Sequence, residues 1–217
     1  AEIIIMASKA LTFLGVTNLS IDLSIPTLVP KICGEQNISK ETEKQLRLIL
    51  DRKDVTGIHS LNKKINKAAT EVFTKILLAA GPIEKGLKIL NSMRLGVHST
   101  TDLRALNNVV DLIKKFAPEL QLTVDPVENR GFEYHTGVTF TFFSGESPSE
   151  LGAGGRYITE SSSTKGEHST GFTLFMDTVL RALPKPKKQP RIFIPIGTKK
   201  EVVENLQEKK WQTIAGL

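Results

Sequence analysis

The hydrophobic period of this chain switches twice, and that switch restricts the fold more than any single motif does. From Asn18 to Ile25, apolar and polar residues alternate: Leu19, Ile21, Leu23 and Ile25 fall on one side, and Ser20, Asp22 and Ser24 on the other. Tyr134 to Phe143 alternates again, with Val138, Phe140 and Phe142 sharing a face. A period of two belongs to a half-buried strand. Between the two, residues 39 to 117 carry their apolar side chains at three- and four-residue spacing, the signature of helices. Strands bracketing a series of short helices predict an α+β domain with a helical insertion at about 39–117.

The punctuation sharpens this reading. Ile3, Ile4, Met6, Ala7, Ala10, Leu11 and Leu14 form a helical stripe closed by Gly15, and Pro26 opens a short helix through Cys33. Ser39 with Thr42 and Glu43 starts the next helix, and Asp54–Leu61, Ala68–Leu78 and Ile83–Leu90 follow it. Ser99-Thr100-Thr101-Asp102 is expected to cap a last helix to Phe116. Beyond Leu120 the spacing predicts strands at Leu122–Val124 and Tyr134–Phe143, and a polar turn at Ser144–Ser149. A glycine-rich strand start is expected at Gly152–Tyr157 and a mobile polar loop at Ile158–Ser169. A helix is expected to be entered at Gly171–Phe175 and to run to Leu183. These strands are expected to form a consecutive antiparallel set covered by that helix.

Residues 184–190 hold three prolines and read as a linker. Thus 1–183 form one core. After the linker, Arg191–Ile196 reads as a strand, Lys199–Lys209 as a helix and Trp211–Ala215 as a second strand, so 191–217 open a C-terminal α/β segment. Without an initiator Met, and stopping inside that segment, the chain reads as part of a longer protein.

Composition excludes several classes. A single cysteine, Cys33, permits neither an internal disulfide nor a zinc site built on several cysteines. It also lies on an apolar helix face and reads as buried rather than nucleophilic. No apolar run approaches the ~20 residues that span a bilayer, and no secretory signal is visible, so a cytoplasmic location is expected. Net charge is +6. Lys185, Lys187, Lys188 and Arg191, like Lys63, Lys64 and Lys67, read as solvated surface. An RNA-binding module would need aromatic residues among those lysines, and there are none.

Two clusters can carry chemistry. Asn129-Arg130-Gly131-Phe132-Glu133-Tyr134-His135-Thr136-Gly137 packs an arginine fork, a carboxylate, a phenol and an imidazole beside two glycines. Such a set can hold a small polar ligand, or it can be a strand start with a surface Arg-Glu pair and a core tyrosine. Leu151-Gly152-Ala153-Gly154-Gly155-Arg156-Tyr157 has no following Lys-Ser/Thr, so it is not a phosphate loop. A glycine run there marks a bulge or close packing over a ligand or another backbone. Glu167-His168 lacks a further ligand at useful spacing, and no metal site is expected.

Together, Arg130-Gly131-Phe132-Glu133-Tyr134-His135 and Gly154-Gly155-Arg156-Tyr157 resemble the paired histidine-binding motifs of histidyl-tRNA synthetases, which have a class II synthetase fold. There the motifs read Arg-Gly-Leu-Asp-Tyr-Tyr and Gly-Gly-Arg-Tyr-Asp. Gly171–Leu180 falls where class II motif three belongs, yet its closing Glu-Arg is Asp177-Thr178 here, and its second glycine is Phe175. Threonine cannot replace a planar cation stacked on a nucleotide.

That combination is similar to the histidyl-tRNA synthetase-like regulatory subunits of ATP phosphoribosyltransferase. Tyr134–Phe140 and Thr170–Pro184 resemble that paralogue most. The resemblance implies a non-catalytic subunit with no cofactor. It would self-associate and assemble with the short-form catalytic subunit. It would be required for that partner's activity and for feedback inhibition by histidine at the first step of histidine biosynthesis. By the same resemblance, Arg130, Gly131, Glu133, Tyr134, His135, Gly154, Gly155, Arg156 and Tyr157 would bind histidine. Arg130 matches the arginine that synthetases use on the α-phosphate, which keeps open the alternative of a synthetase catalytic-core fragment acting with ATP.

Overall fold

The computed structural model describes residues 1–128, 135–161, 164–185 and 190–216. It divides into two units, Ala1–Leu183 and Pro184–Leu217.

The first unit starts with α1 (Glu2–Leu14), which ends at Gly15 in the left-handed conformation, φ 102°. Strand β1 (Leu19–Ser24) follows, then α2 (Leu28–Glu35), α3 (Lys40–Asp51), α4 (Val55–Ser60) and α5 (Lys67–Leu78). The side chains of Ser39, Asp54 and Asn66 cap the last three of these helices by accepting from backbone N–H groups. Strand β2 (Gly81–Pro82), α6 (Ile83–Asn91), α7 (Val97–Phe116) and β3 (Gln121–Val124) complete the helical stretch. Then come β4 (His135–Ser144), β5 (Ser147–Ser161), β6 (Thr164–Leu174) and α8 (Met176–Ala182).

Among the described residues these strands form a six-stranded sheet in the order β2-β3-β1-β4-β5-β6. The fold is mixed α and β, and the sheet is antiparallel except for β1 beside β3. That parallel pair is possible because the helical stretch between them serves as the crossover. Pairing places Ile21 opposite Phe142 and Leu23 opposite Phe140, and opposite both of them, on β3, Leu122 and Val124. All six side chains are buried. Phe140 and Phe142 meet edge-to-face with ring centroids 5.4 Å apart. This is the core face, and α7 packs on it through Leu103, Leu106, Val110 and Ile113, spaced by helical turns.

The opposite face is different in kind. Asp22, Thr139, Thr141, Ala153, Gly155, Gly171 and Thr173 follow one another across it by register. Small and polar side chains leave this side of the sheet shallow.

Three local expectations are corrected. Residues 158–161 and 164–169 are strand rather than loop: Ile158 pairs with His168 and Thr159 with Glu167 as β5 and β6 run on together, while 162 and 163 lie outside the described residues. Ladder hydrogen bonds satisfy the backbone of a segment too polar to announce itself by alternation. Gly171–Leu174 belongs to β6, and α8 begins only at Met176. Ser99–Asp102 do not cap α7, which starts at Val97 with Gly96 before it. Ser99 and Asp102 are buried within the helix. The carboxylate of Glu35 takes over the capping, accepting from the backbone N–H of His98 at 2.8 Å and of Ser99 at 3.1 Å, and from the Ser99 hydroxyl at 2.6 Å.

The second unit contains β7 (Arg191–Ile194), α9 (Lys200–Glu208) and β8 (Gln212–Ala215), with β7 and β8 parallel. No helix of the described residues is long and apolar enough to cross a membrane.

Candidate functional site

On the shallow face, the N-terminal end of β4 meets the glycine-rich part of β5. His135 pairs with Tyr157, and Thr139 with Gly155. Two extra residues on β4 are accommodated between those pairs as an irregularity of the ladder. His135 is only 5% exposed. Its imidazole lies close against Gly155 of β5: a Cβ there would come 2.5 Å from His135 Cδ2 and 2.8 Å from Nε2. Gly155 is therefore required by the ring, because any larger residue would displace it.

A cavity of about 460 Å³ opens here. His135 and Tyr157 form part of its wall, and Ala153, Gly171, Thr173 and Phe175 supply much of the rest. Gly171 faces Tyr157, with a built Cβ at 3.5 Å from the phenol oxygen. The site thus offers an imidazole and a phenol over a floor of small residues. That chemistry suits a small ligand that combines a flat ring with polar ends.

The sequence-derived candidates divide into three groups. His135, Gly155 and Tyr157 come together on this face. Gly154 and Arg156 follow the opposite parity of the strand. A Cβ at Gly154 would run into Phe140 Cζ at 2.6 Å and Phe172 Cβ at 2.7 Å, so this glycine admits core rings, and only its backbone borders the cavity. Arg156 is exposed and stacks its stem over Gly137. Arg130, Gly131, Glu133 and Tyr134 lie outside the described residues.

The nucleotide-side differences have structural counterparts. Phe175 precedes α8, donates its backbone N–H to the Leu151 carbonyl at 2.8 Å, and borders the cavity. Thr178 is buried, while Asp177 makes an exposed pair with Arg181 one turn on.

A second recess, about 540 Å³, is also bordered by His135 and was not anticipated from sequence. Lys31 on α2 and Lys40, Lys44 and Arg47 on α3 line it, together with Glu43. Glu43 is buried and pairs with Lys40 at 2.9 Å and Arg47 at 2.8 Å. Burial pushes its carboxyl pKa up, but the hydrogen bonds and charges of Arg47 and Lys40 outweigh that and hold it below the usual value. The only sequence signal was the basic spacing along α3, which by itself reads as a solvated helix face.

A mostly antiparallel six-stranded sheet that packs α7 on its core face and carries a ligand-sized recess beside His135 and Tyr157 is an arrangement shared with class II aminoacyl-tRNA synthetase-like domains. Solved structures share this fold. One is an ATP phosphoribosyltransferase regulatory subunit/histidyl-tRNA synthetase from Bacillus halodurans, with TM-score 0.77 at 18% identity, over 99% of this chain and 58% of that one. Another is the ATP phosphoribosyl transferase (HisG:HisZ) complex from Thermotoga maritima, with TM-score 0.64 at 20% identity, over 81% of this chain and 60% of that one. The sequence model of the family described as histidyl-tRNA synthetase matches residues 1–179, and the chain belongs to that family. Within it, the chain is 42% identical over all 217 residues to the ATP phosphoribosyltransferase regulatory subunit of Paramagnetospirillum magneticum, of which it spans 55%. The chain thus spans about half the length of the curated relatives it matches.

Proposed function

We propose that this chain is part of a non-catalytic regulatory subunit that binds histidine and acts on a short-form ATP phosphoribosyltransferase catalytic subunit, activating it and transmitting histidine feedback. The observation that carries this reading is the 42% identity along the whole chain to a relative named as that regulatory subunit. The site is consistent with it. His135 and Tyr157 border a cavity that Phe175, at the glycine position of motif three by resemblance, also borders, and Thr178, at the arginine position by the same resemblance, is buried. A pocket that keeps amino-acid recognition without a nucleotide clamp can sense without reacting.

In this reading the imidazole of the ligand stacks between His135, Tyr157 and Tyr134, and Arg130 and Glu133 meet its charged ends. Gly131 gives the ligand close access to the backbone. Bound histidine shifts the assembly only if it binds the inhibited arrangement more tightly than the active one. The subunit would work in the cytoplasm, self-associated and in complex with its catalytic partner.

Calorimetric titration of the full-length protein tests this. Histidine should bind, and ATP with magnesium should not, with or without histidine present. Aminoacyl-adenylate formation from ATP and histidine would overturn the reading in favour of a synthetase.

A further inference from the structure

The basic recess beside His135 carries an inference of its own. Lys31, Lys40, Lys44 and Arg47 bring four cations to one concave site, and among the described residues the carboxylates paired with them are Glu43 and Asp102. An excess of two positive charges remains. Asp102 holds Lys31 at 2.6 Å and accepts from the Thr27 hydroxyl at 2.6 Å, which fixes the α2 wall. Arg47 uses Nε and Nη2 on Glu43, so Nη1 has no partner among the described residues. Lys44 has no ion-pair partner among the described residues either, although it faces the same recess.

Cations gathered on a solvated helix face ordinarily spread outward. Here the buried carboxylate of Glu43 holds the half-buried Arg47 and Asp102 pins the half-buried Lys31 from α7, while Lys40 reaches Glu43 from an exposed position. Such a site is already organised before any ligand arrives, and a guanidinium with ammonium groups suits tetrahedral oxyanions. We propose that the recess between α2, α3 and His135 binds the phosphate group of a small anionic ligand. Because His135 belongs to the walls of both recesses, an anion here bears directly on the ring that borders the first cavity.

Inorganic pyrophosphate and phenyl phosphate, titrated into the full-length protein and followed by the imidazole NMR signals, test the proposal. His135 should shift saturably, while His59, His98 and His168, none of which lines the recess, should not. Lys44→Glu, at an exposed position, should weaken binding roughly tenfold or more, as expected for loss of a charge-assisted contact. Lys63→Glu, which carries the same charge change outside the recess, should leave it unchanged. Binding of both probes marks a site that reads phosphate itself. Binding of phenyl phosphate alone marks an organic monoester site, and binding of pyrophosphate alone an inorganic one. No saturable His135 shift with either probe, or equal weakening by Lys63→Glu, would overturn the proposal.

Discussion

The Cα of Gly155 and the imidazole of His135 are packed so closely that a single methyl group between them would sit 2.5 Å from a ring carbon. The glycine of the second motif is thus explained by its neighbour on the adjacent strand before any ligand is considered.

Gly155→Ala should therefore swing His135 out of place. Overpacking of this kind costs about 1–3 kcal/mol, and a cooperative fold of this size should survive it. The expected result, by calorimetry and thermal unfolding, is a modestly lowered Tm with histidine affinity lost or reduced at least about tenfold. Unchanged affinity would separate His135 from the ligand.

Glu35 ties the end of α2 to the start of α7. Burial raises its carboxyl pKa, but hydrogen bonds from the Ser99 hydroxyl and from the Ser99 and His98 backbone, with the His98 charge, hold it below the ordinary value. A carboxylate with a depressed folded pKa stabilises above its unfolded value, and that contribution is lost as pH falls through the folded one. Glu35→Gln should cost about 1 kcal/mol at neutral pH, in the range of a lost cap. In urea titrations repeated down to about pH 3, the gap between wild type and variant should close.

Thr178, which by the resemblance falls where synthetases hold the nucleotide with an arginine, is buried on α8. Restoring the arginine should not restore ATP binding. It would put a charge into a site built for a threonine, and unfolding measurements should show a loss of about 2 kcal/mol or more.

Cys33 is fully buried, and burial pushes its thiol pKa up to about 12. The native protein should resist a thiolate-specific reagent at mildly alkaline pH and label only after denaturant is added. Rapid native labelling would mean that α2 opens readily.

Much of the architecture was legible along the chain. The helices at 40–51, 55–60 and 67–78 have side-chain caps at Ser39, Asp54 and Asn66 and apolar positions at helical spacing, both of which are local. The strand at 135–144 alternates because Phe140 and Phe142 turn to the apolar core while Thr139 and Thr141 turn to the opposite, polar face. The outer part of the β5–β6 hairpin was missed because Ile158, Gly166, Glu167 and His168 are exposed and no apolar alternation marks the segment. The cap of α7 was missed because its acceptor, Glu35, lies 64 residues before Ser99.

The paired motifs, the shift of period and the altered motif three were determined by the amino-acid sequence by itself, since each is a property of residues close in the chain. Tertiary structure decided what those residues do. Strand parity brings His135 and Tyr157 to one face and sends Arg156 to the other, which depends on a pairing register that linear spacing does not contain. The folding of α2 and α3 beside the start of β4 brings Lys31 and Arg47 to one recess with His135, about a hundred residues further along. Charges that read as scattered surface became a recess because only the folded chain sets their distances.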